Sequence, residues 1–124
     1  MPATKANFPL WTVATNVPAG TTKASPVVGF SIDARAHYGG ELVWRIVNGG
    51  ALGAPCMIMF QTSPDGSDWY DYYAVSSSDL LAGTVTQGPS ISLSRGGMYV
   101  RAIAYGNTTN SCTVQASIEA VTGL

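Results

Sequence analysis

The residues best equipped for chemistry gather in one short run, Gln61-Thr62-Ser63-Pro64-Asp65-Gly66-Ser67-Asp68-Trp69-Tyr70-Asp71-Tyr72-Tyr73. Asp65, Asp68 and Asp71 recur every third residue there. Calcium takes several hard oxygen ligands at about 2.3–2.6 Å, and Asp65 with Asp68 could point into one loop. The spacing is not that of an EF-hand. Turn chemistry accounts for the same residues more simply. Pro64 presets φ, Asp65 forms the turn, Gly66 accepts positive φ, and Asp68 is expected to cap the loop. No metal is expected here.

Other constellations are sparser. His37 is the only histidine and lies beside Gly39-Gly40. A Ser-His-Asp arrangement would need it to converge with a serine and an acid, and nothing in the spacing brings them together. A solvent-facing loop histidine is the expectation. Cys56 and Cys112 sit in apolar, strand-like runs. They read as buried free thiols, which pack as small hydrophobes, and a disulfide would require adjacent strands with Cα atoms about 5.5–6 Å apart. One histidine and two core cysteines cannot close a tetrahedral zinc site.

The acids are Asp33, Glu41, Asp65, Asp68, Asp71, Asp79 and Glu119. Glu41, Asp71 and Glu119 fall on strands, where a hydrolytic pair would have to face one groove; solvated carboxylates are the simpler reading. No glycine-rich phosphate loop opens a helix. The sequence therefore offers no catalytic residue, no metal and no cofactor, and the chain is not expected to be an enzyme.

Composition narrows the partners. The chain has 124 residues, the length of one domain. Charged residues make up 10%, against about 25% in an average soluble domain. Such a surface suits a protein covered by partners, or one that works outside the cell. Net charge is −1 with no basic cluster, so nucleic-acid binding by counterion release is not expected. No apolar run reaches the roughly 18 residues of a membrane span. No charged n-region precedes an apolar stretch, so synthesis in the cytoplasm without a signal peptide is expected.

The elements that must carry these residues are strands. Residues 1–25 contain Pro2, Pro9 and Pro18 with no clear periodicity, yet include Phe8, Leu10, Trp11 and Val13. Disordered tails seldom carry such aromatics. The segment reads as an extended arm that docks on its own sandwich or on a neighbour, or equally as an ordinary edge strand followed by a loop. From Pro26 the pattern is β. Strands are expected over Val27–Ile32, Glu41–Val47 with Leu42, Trp44 and Ile46 on one face, Cys56–Thr62, Trp69–Val75, Ser90–Ser94 with Ile91 and Leu93 inward, Met98–Tyr105, and Ser111–Val121 with Cys112, Val114, Ala116, Ile118 and Ala120 inward. Leu80-Leu81-Ala82-Gly83 could form a brief helical turn, and Arg95-Gly96-Gly97 a tight turn.

Seven to nine short strands with Gly, Pro and Asn turns predict an all-β antiparallel sandwich, jelly-roll or Ig-like, over residues 26–124, preceded by the arm at 1–25. Alternation puts Trp69, Asp71 and Tyr73 on one face of the hairpin and Tyr70 with Tyr72 on the other, one set inside and one exposed. Exposed aromatics can stack on sugars or anchor a protein interface.

These segments also carry a resemblance. Leu42 to Val47, Asn48-Gly49, Met57 to Ser63 and Pro64-Asp65-Gly66-Ser67-Asp68-Trp69-Tyr70 resemble small β-sandwich virion proteins of tailed bacteriophages. Gly97-Met98-Tyr99-Val100-Arg101-Ala102, with a closing strand through Cys112 to Val121, is similar to the C-terminal hairpin of the same group. The resemblance spans about residues 26–121.

It implies a capsid decoration or cement protein that binds across subunits of the major capsid protein, self-associates as a trimer, and enters the virion in the host cytoplasm. The contact residues expected are Phe8, Leu10 and Trp11 in the arm, with Tyr70 and Tyr72 on an outer face. Removal of residues 1–25 is then expected to leave a folded domain unable to bind capsids. A strand, a Ser-x-Asp-Gly-x-x-Trp turn and a second strand also occur in fibronectin-type and discoidin-like sugar-binding modules. A carbohydrate-binding module that stacks sugars on Trp69 or the tyrosines is the alternative, and a tail or connector subunit is another.

Overall fold

The structure, a computed structural model, describes residues 4–35, 40–88, 91–93 and 98–123; of residues 4, 5, 91, 93 and 120–123 it describes the backbone. His37 and the Arg95-Gly96-Gly97 turn lie outside the described residues, and so do the side chains of Ile91, Leu93 and Ala120.

Alternation of apolar and polar residues builds the longest strands. In β5 (Gly40–Asn48), Leu42, Trp44 and Ile46 are buried, while Glu41, Val43 and Arg45 face out. In β11 (Cys112–Gly123), Cys112, Val114, Ala116 and Ile118 are buried, as the period of two requires. In β6 (Met57–Ser63) Ile58 and Phe60 turn inward, and in β10 (Tyr99–Tyr105) Val100, Ala102 and Ala104 do the same. The remaining strands are short: β1 (Thr4–Pro9), β2 (Thr15–Val17), β3 (Val27–Val28), β4 (Ile32–Asp33), β7 (Tyr70–Ser76), β8 (Val85–Gln87) and β9 (Ile91–Leu93). Leu80 to Gly83 forms a turn, not a helix.

Among the described residues, eleven strands form two antiparallel sheets, one of six strands and one of five. This exceeds the seven to nine expected because three lanes are broken in two. β1 and β2 both lie along β11, β8 and β9 both along β5, and β3 and β4 both along β10. Counted as lanes in chain order, the first sheet runs first, eighth, third, sixth, and the second runs second, seventh, fourth, fifth. That is the order of a jelly roll, the double-sheet arrangement in which first and last lanes pair and connections cross between sheets. Of the two topologies open from sequence, the Ig-like one is set aside.

The arm is part of this sandwich. β1 pairs with β11 from Pro9↔Ser117 out to Thr4↔Gly123, and β2 continues the lane from Thr15↔Val114. Between them the chain stays on the same sheet but bonds to both sheets. The Leu10 and Trp11 amides both donate to Ala116 O, at 2.9 and 3.3 Å, while Leu10 O accepts from Phe30 N at 2.6 Å. Leu10 and Val17 are fully buried, and Trp11 is 5% exposed. Asn107, also fully buried, donates from Nδ2 to Val17 O at 3.0 Å and to Asn110 O at 2.8 Å. The boundary expected at residue 25 therefore does not separate an arm from a domain.

Cys56 and Cys112 form a disulfide between the residue preceding β6 and the first residue of β11. The expectation of free thiols is corrected: inward positions on opposite sheets face each other across the core.

Candidate functional site

The hairpin that drew attention in the sequence connects β6 to β7 at one edge of the five-stranded sheet. Its tip is closed by hydrogen bonds to Asp65 and Ser63. Asp65 Oδ1 accepts from Ser67 N at 2.8 Å, Asp68 N at 2.9 Å and Ser63 Oγ at 2.9 Å. Ser63 Oγ in turn accepts from Gly66 N at 2.8 Å, with Gly66 at φ 81°. Asp65, not Asp68, is thus the capping residue, because an Asx side chain reaches amides two and three residues on.

The backbone N–H groups of Asp68 and Ser67 hold the Asp65 carboxyl down at about 2. Its folded-state value lies below the unfolded one. The loop therefore gains stability above the ordinary carboxylate range, and loses it as pH falls toward 2. A carboxyl-detected NMR titration should place Asp65 near 2. Asp65→Asn should remove that step from the pH dependence of unfolding; a midpoint near 4 for Asp65 would contradict the capping geometry.

Asp71 turns away to a different set of partners. Its Oδ1 accepts from Gln61 Nε2 at 3.0 Å, and its Oδ2 pairs with Lys23 Nζ. The hydrogen bond from Gln61 first, then that from Lys23, lowers the Asp71 carboxyl, while the bond to Asp71 raises Lys23. Gln61 is 6% exposed and accepts from Arg101 Nε at 2.9 Å on its Oε1. The Arg101 guanidinium lies 4.4 Å from the centre of the Trp69 ring. Partial burial pushes Arg101 down, though a guanidinium stays charged throughout the ordinary pH range.

Lys23, Asp71, Gln61, Arg101 and Trp69 therefore form one chain of contacts over three strands and two loops. The three aspartates do not converge on a cation site, and one face of Trp69 is occupied by Arg101. Arg101 thus takes one face of Trp69 from any sugar platform. Sequence reading missed Lys23, Gln61 and Arg101, whose contacts depend on the β10–β6–β7 register.

The tyrosines behave differently from the expectation. Phe60 pairs with Tyr73 and Gln61 with Asp71, so Tyr72 is an extra residue, a β-bulge. The bulge breaks the alternation, and neither face of β7 is buried: six of its seven residues are exposed and Val75 alone is half-buried. Tyr70, Tyr72 and Tyr73 are 62%, 40% and 49% exposed. Tyr70 and Tyr73 share the side of Thr62 and Phe60. Tyr72 reaches the opposite sheet, its hydroxyl donating to Ser92 O of β9 at 2.9 Å. Nearby, Ser78 N donates to Thr86 Oγ1 of β8 at 2.9 Å. These two contacts close the rim where the sheets part.

The expected contact residues thus separate into two groups. Tyr70 and Tyr72 are at the surface, joined by Tyr73. Leu10 and Trp11 are in the core and Phe8 packs against it, half-buried. Leu10 and Trp11 are corrected as surface anchors, because the link between β1 and β2 packs inward, bonded to Ala116 O on one side and to Phe30 N, between β3 and β4, on the other.

No known family and no curated protein matches this chain. Function has to be read from the surface itself. The surface is poor in charge and rich in exposed apolar side chains, Val28, Phe30, Leu81 and Val85 among them.

Proposed function

We propose that the chain is a non-catalytic structural subunit of a bacteriophage virion, a decoration protein that binds across subunits of the major capsid protein. The observation that carries this reading is β7. Paired with β6 on one side, it is an open sheet edge on the other among the described residues, with Tyr70, Tyr72 and Tyr73 exposed. Soluble proteins normally blunt such edges with bulges, lysine, proline or a covering loop; this strand has the bulge at Tyr72 but no lysine or proline, and its one charge, Asp71, is already paired with Lys23. An exposed aromatic edge suits a protein that is covered in use, because tyrosines supply large contact area with little side-chain entropy to lose.

The jelly roll is consistent with the proposal, being an architecture of viral capsid and lectin domains, although fold alone does not assign function. The disulfide fits a particle that ends up outside the cell, since such bonds persist on virion surfaces. Assembly would take place in the host cytoplasm, with the subunit as a homo-oligomer, a trimer by resemblance. Its work would be mechanical, burying apolar area at junctions between capsid subunits.

The test is co-sedimentation with purified shells that lack the protein. Tyr70→Ser with Tyr73→Ser should leave the thermal melt within a few degrees of the parent, since both rings are exposed. It should weaken shell binding at least tenfold, as truncation of central interface aromatics does. Unchanged affinity and saturation in the double variant would remove β7 as the contact, and failure of the parent protein to bind any shell would remove the capsid reading.

A further inference from the structure

A second surface lies on the outer face of the six-stranded sheet. Gln115 pairs with Arg45, and Arg45 with Gln87, so an amide, a guanidinium and an amide stand in one row across β11, β5 and β8. Adjacent strands are about 4.8 Å apart, which spaces these planar groups on the scale of one or two sugar rings. The next row holds Pro9, Ser117 and Val43, with Asn7 Nδ2 donating to Ser117 Oγ at 3.1 Å. Together they line a cleft of about 750 Å³, within the size range of small-molecule sites.

Two indoles also line this cleft. Trp11 and Trp44 are 5% and 7% exposed, and each buries its Nε1 without a hydrogen-bond partner among the described residues. Both Nε1 atoms are shielded from solvent, so the indoles form the floor of the cleft, and Arg45, Gln87 and Gln115 are among the polar groups it presents. Gly88 closes one side of the cleft; a Cβ there would overlap Trp44 Cζ2, so only glycine lets the chain lie against the indole. Arg45 is the one charged residue in the lining, and neither ion pair of the described residues involves it.

We propose that this cleft binds a saccharide bearing a carboxylate, a uronate-type sugar. Amides donate and accept, which matches ring hydroxyls. The guanidinium fork matches a planar carboxylate in a bidentate way. Val43 and Pro9 offer apolar surface to the C–H face of a ring, above the two indoles. A free sugar and a polysaccharide present the same chemistry. The site is remote in sequence and sheet from the β7 tyrosines, so it goes beyond the capsid reading and does not depend on it.

The test is an NMR titration of the ¹⁵N-labelled full chain with a glucuronate-containing disaccharide and with its neutral glucose counterpart. The indole N–H resonances of Trp11 and Trp44 should move with the acidic sugar, and that of Trp69, on the other sheet, should stay. Arg45→Ala and Gln115→Ala, both at exposed positions, should melt like the parent yet weaken binding of the acidic sugar at least tenfold. The Tyr70/Tyr73 variant should bind the sugar normally, which separates this site from capsid binding. The proposal is overturned by indole resonances that do not move at millimolar acidic sugar. Equal affinity for the neutral disaccharide, or full affinity retained in Arg45→Ala, would overturn it as well.

Discussion

Deleting residues 1–25 should abolish cooperative folding, and Leu10→Ala alone should lower stability by about 3 kcal/mol, within the range for a fully buried leucine. The segment supplies the whole outer lane of the six-stranded sheet, since β1 and β2 pair along β11. It also supplies Leu10, Trp11 and Val17 to the core. Losing a buried leucine and tryptophan together removes roughly 5–10 kcal/mol, comparable to the entire 5–15 kcal/mol of a typical domain. The loss does not stop at side chains. Without Leu10, Phe30 N loses its acceptor, and without Val17, one of the bonds of the buried Asn107 side chain disappears. For a chain of this length Leu10→Ala should lower the melting temperature by about 10 °C. Calorimetry and urea titration read both effects. A truncated chain that melts cooperatively near the parent temperature would show that the lane is an appendage.

The sequence leaves an arm and an edge strand both open here, and that outcome decides for the strand, for an identifiable reason. Pro9 and Pro18 argue against strand in the first 25 residues, and no period of two emerges. Yet proline is tolerated on an edge strand, where its missing N–H faces away from the ladder, and Pro9 is the last residue of β1 in an edge lane. A partner more than a hundred residues away cannot be read from local pattern, and β11 is such a partner.

β5 and β11 were legible because each buries one face and exposes the other. The β7 hairpin was legible as a turn but not in phase, since the bulge at Tyr72 inserts a residue that no composition rule marks. Asp65 could be identified as a turn former; its choice over Asp68 as cap follows from loop geometry. The cleft was invisible for a stronger reason. Asn7, Arg45, Gln87 and Gln115 are ordinary polar residues until the registers of four separate strands bring them together.

Replacing Cys56 and Cys112 together by alanine should lower stability by about 4 kcal/mol. The two residues are 56 apart in sequence, and a bond closing a loop of that length restricts the unfolded chain by about this much in the chain-entropy account. Alanine is the cleaner substitution, because serine would bury hydroxyls at two sites that are fully inaccessible. The melting temperature should fall by about 15 °C. Burial also dictates how reduction behaves: reductant alone should act slowly on the folded protein and fully once urea opens it. Denatured, unreduced protein should titrate no free thiol. Two thiols per chain, or identical urea curves with and without reductant, would restore the reading of both residues as packed hydrophobes. The bond joins the start of β6 to the start of β11, so it ties together the two sheets whose outer surfaces carry the tyrosine edge and the polar cleft. If those surfaces serve a particle in an oxidising medium, this cross-sheet bond keeps the sandwich closed where no chaperone can refold it.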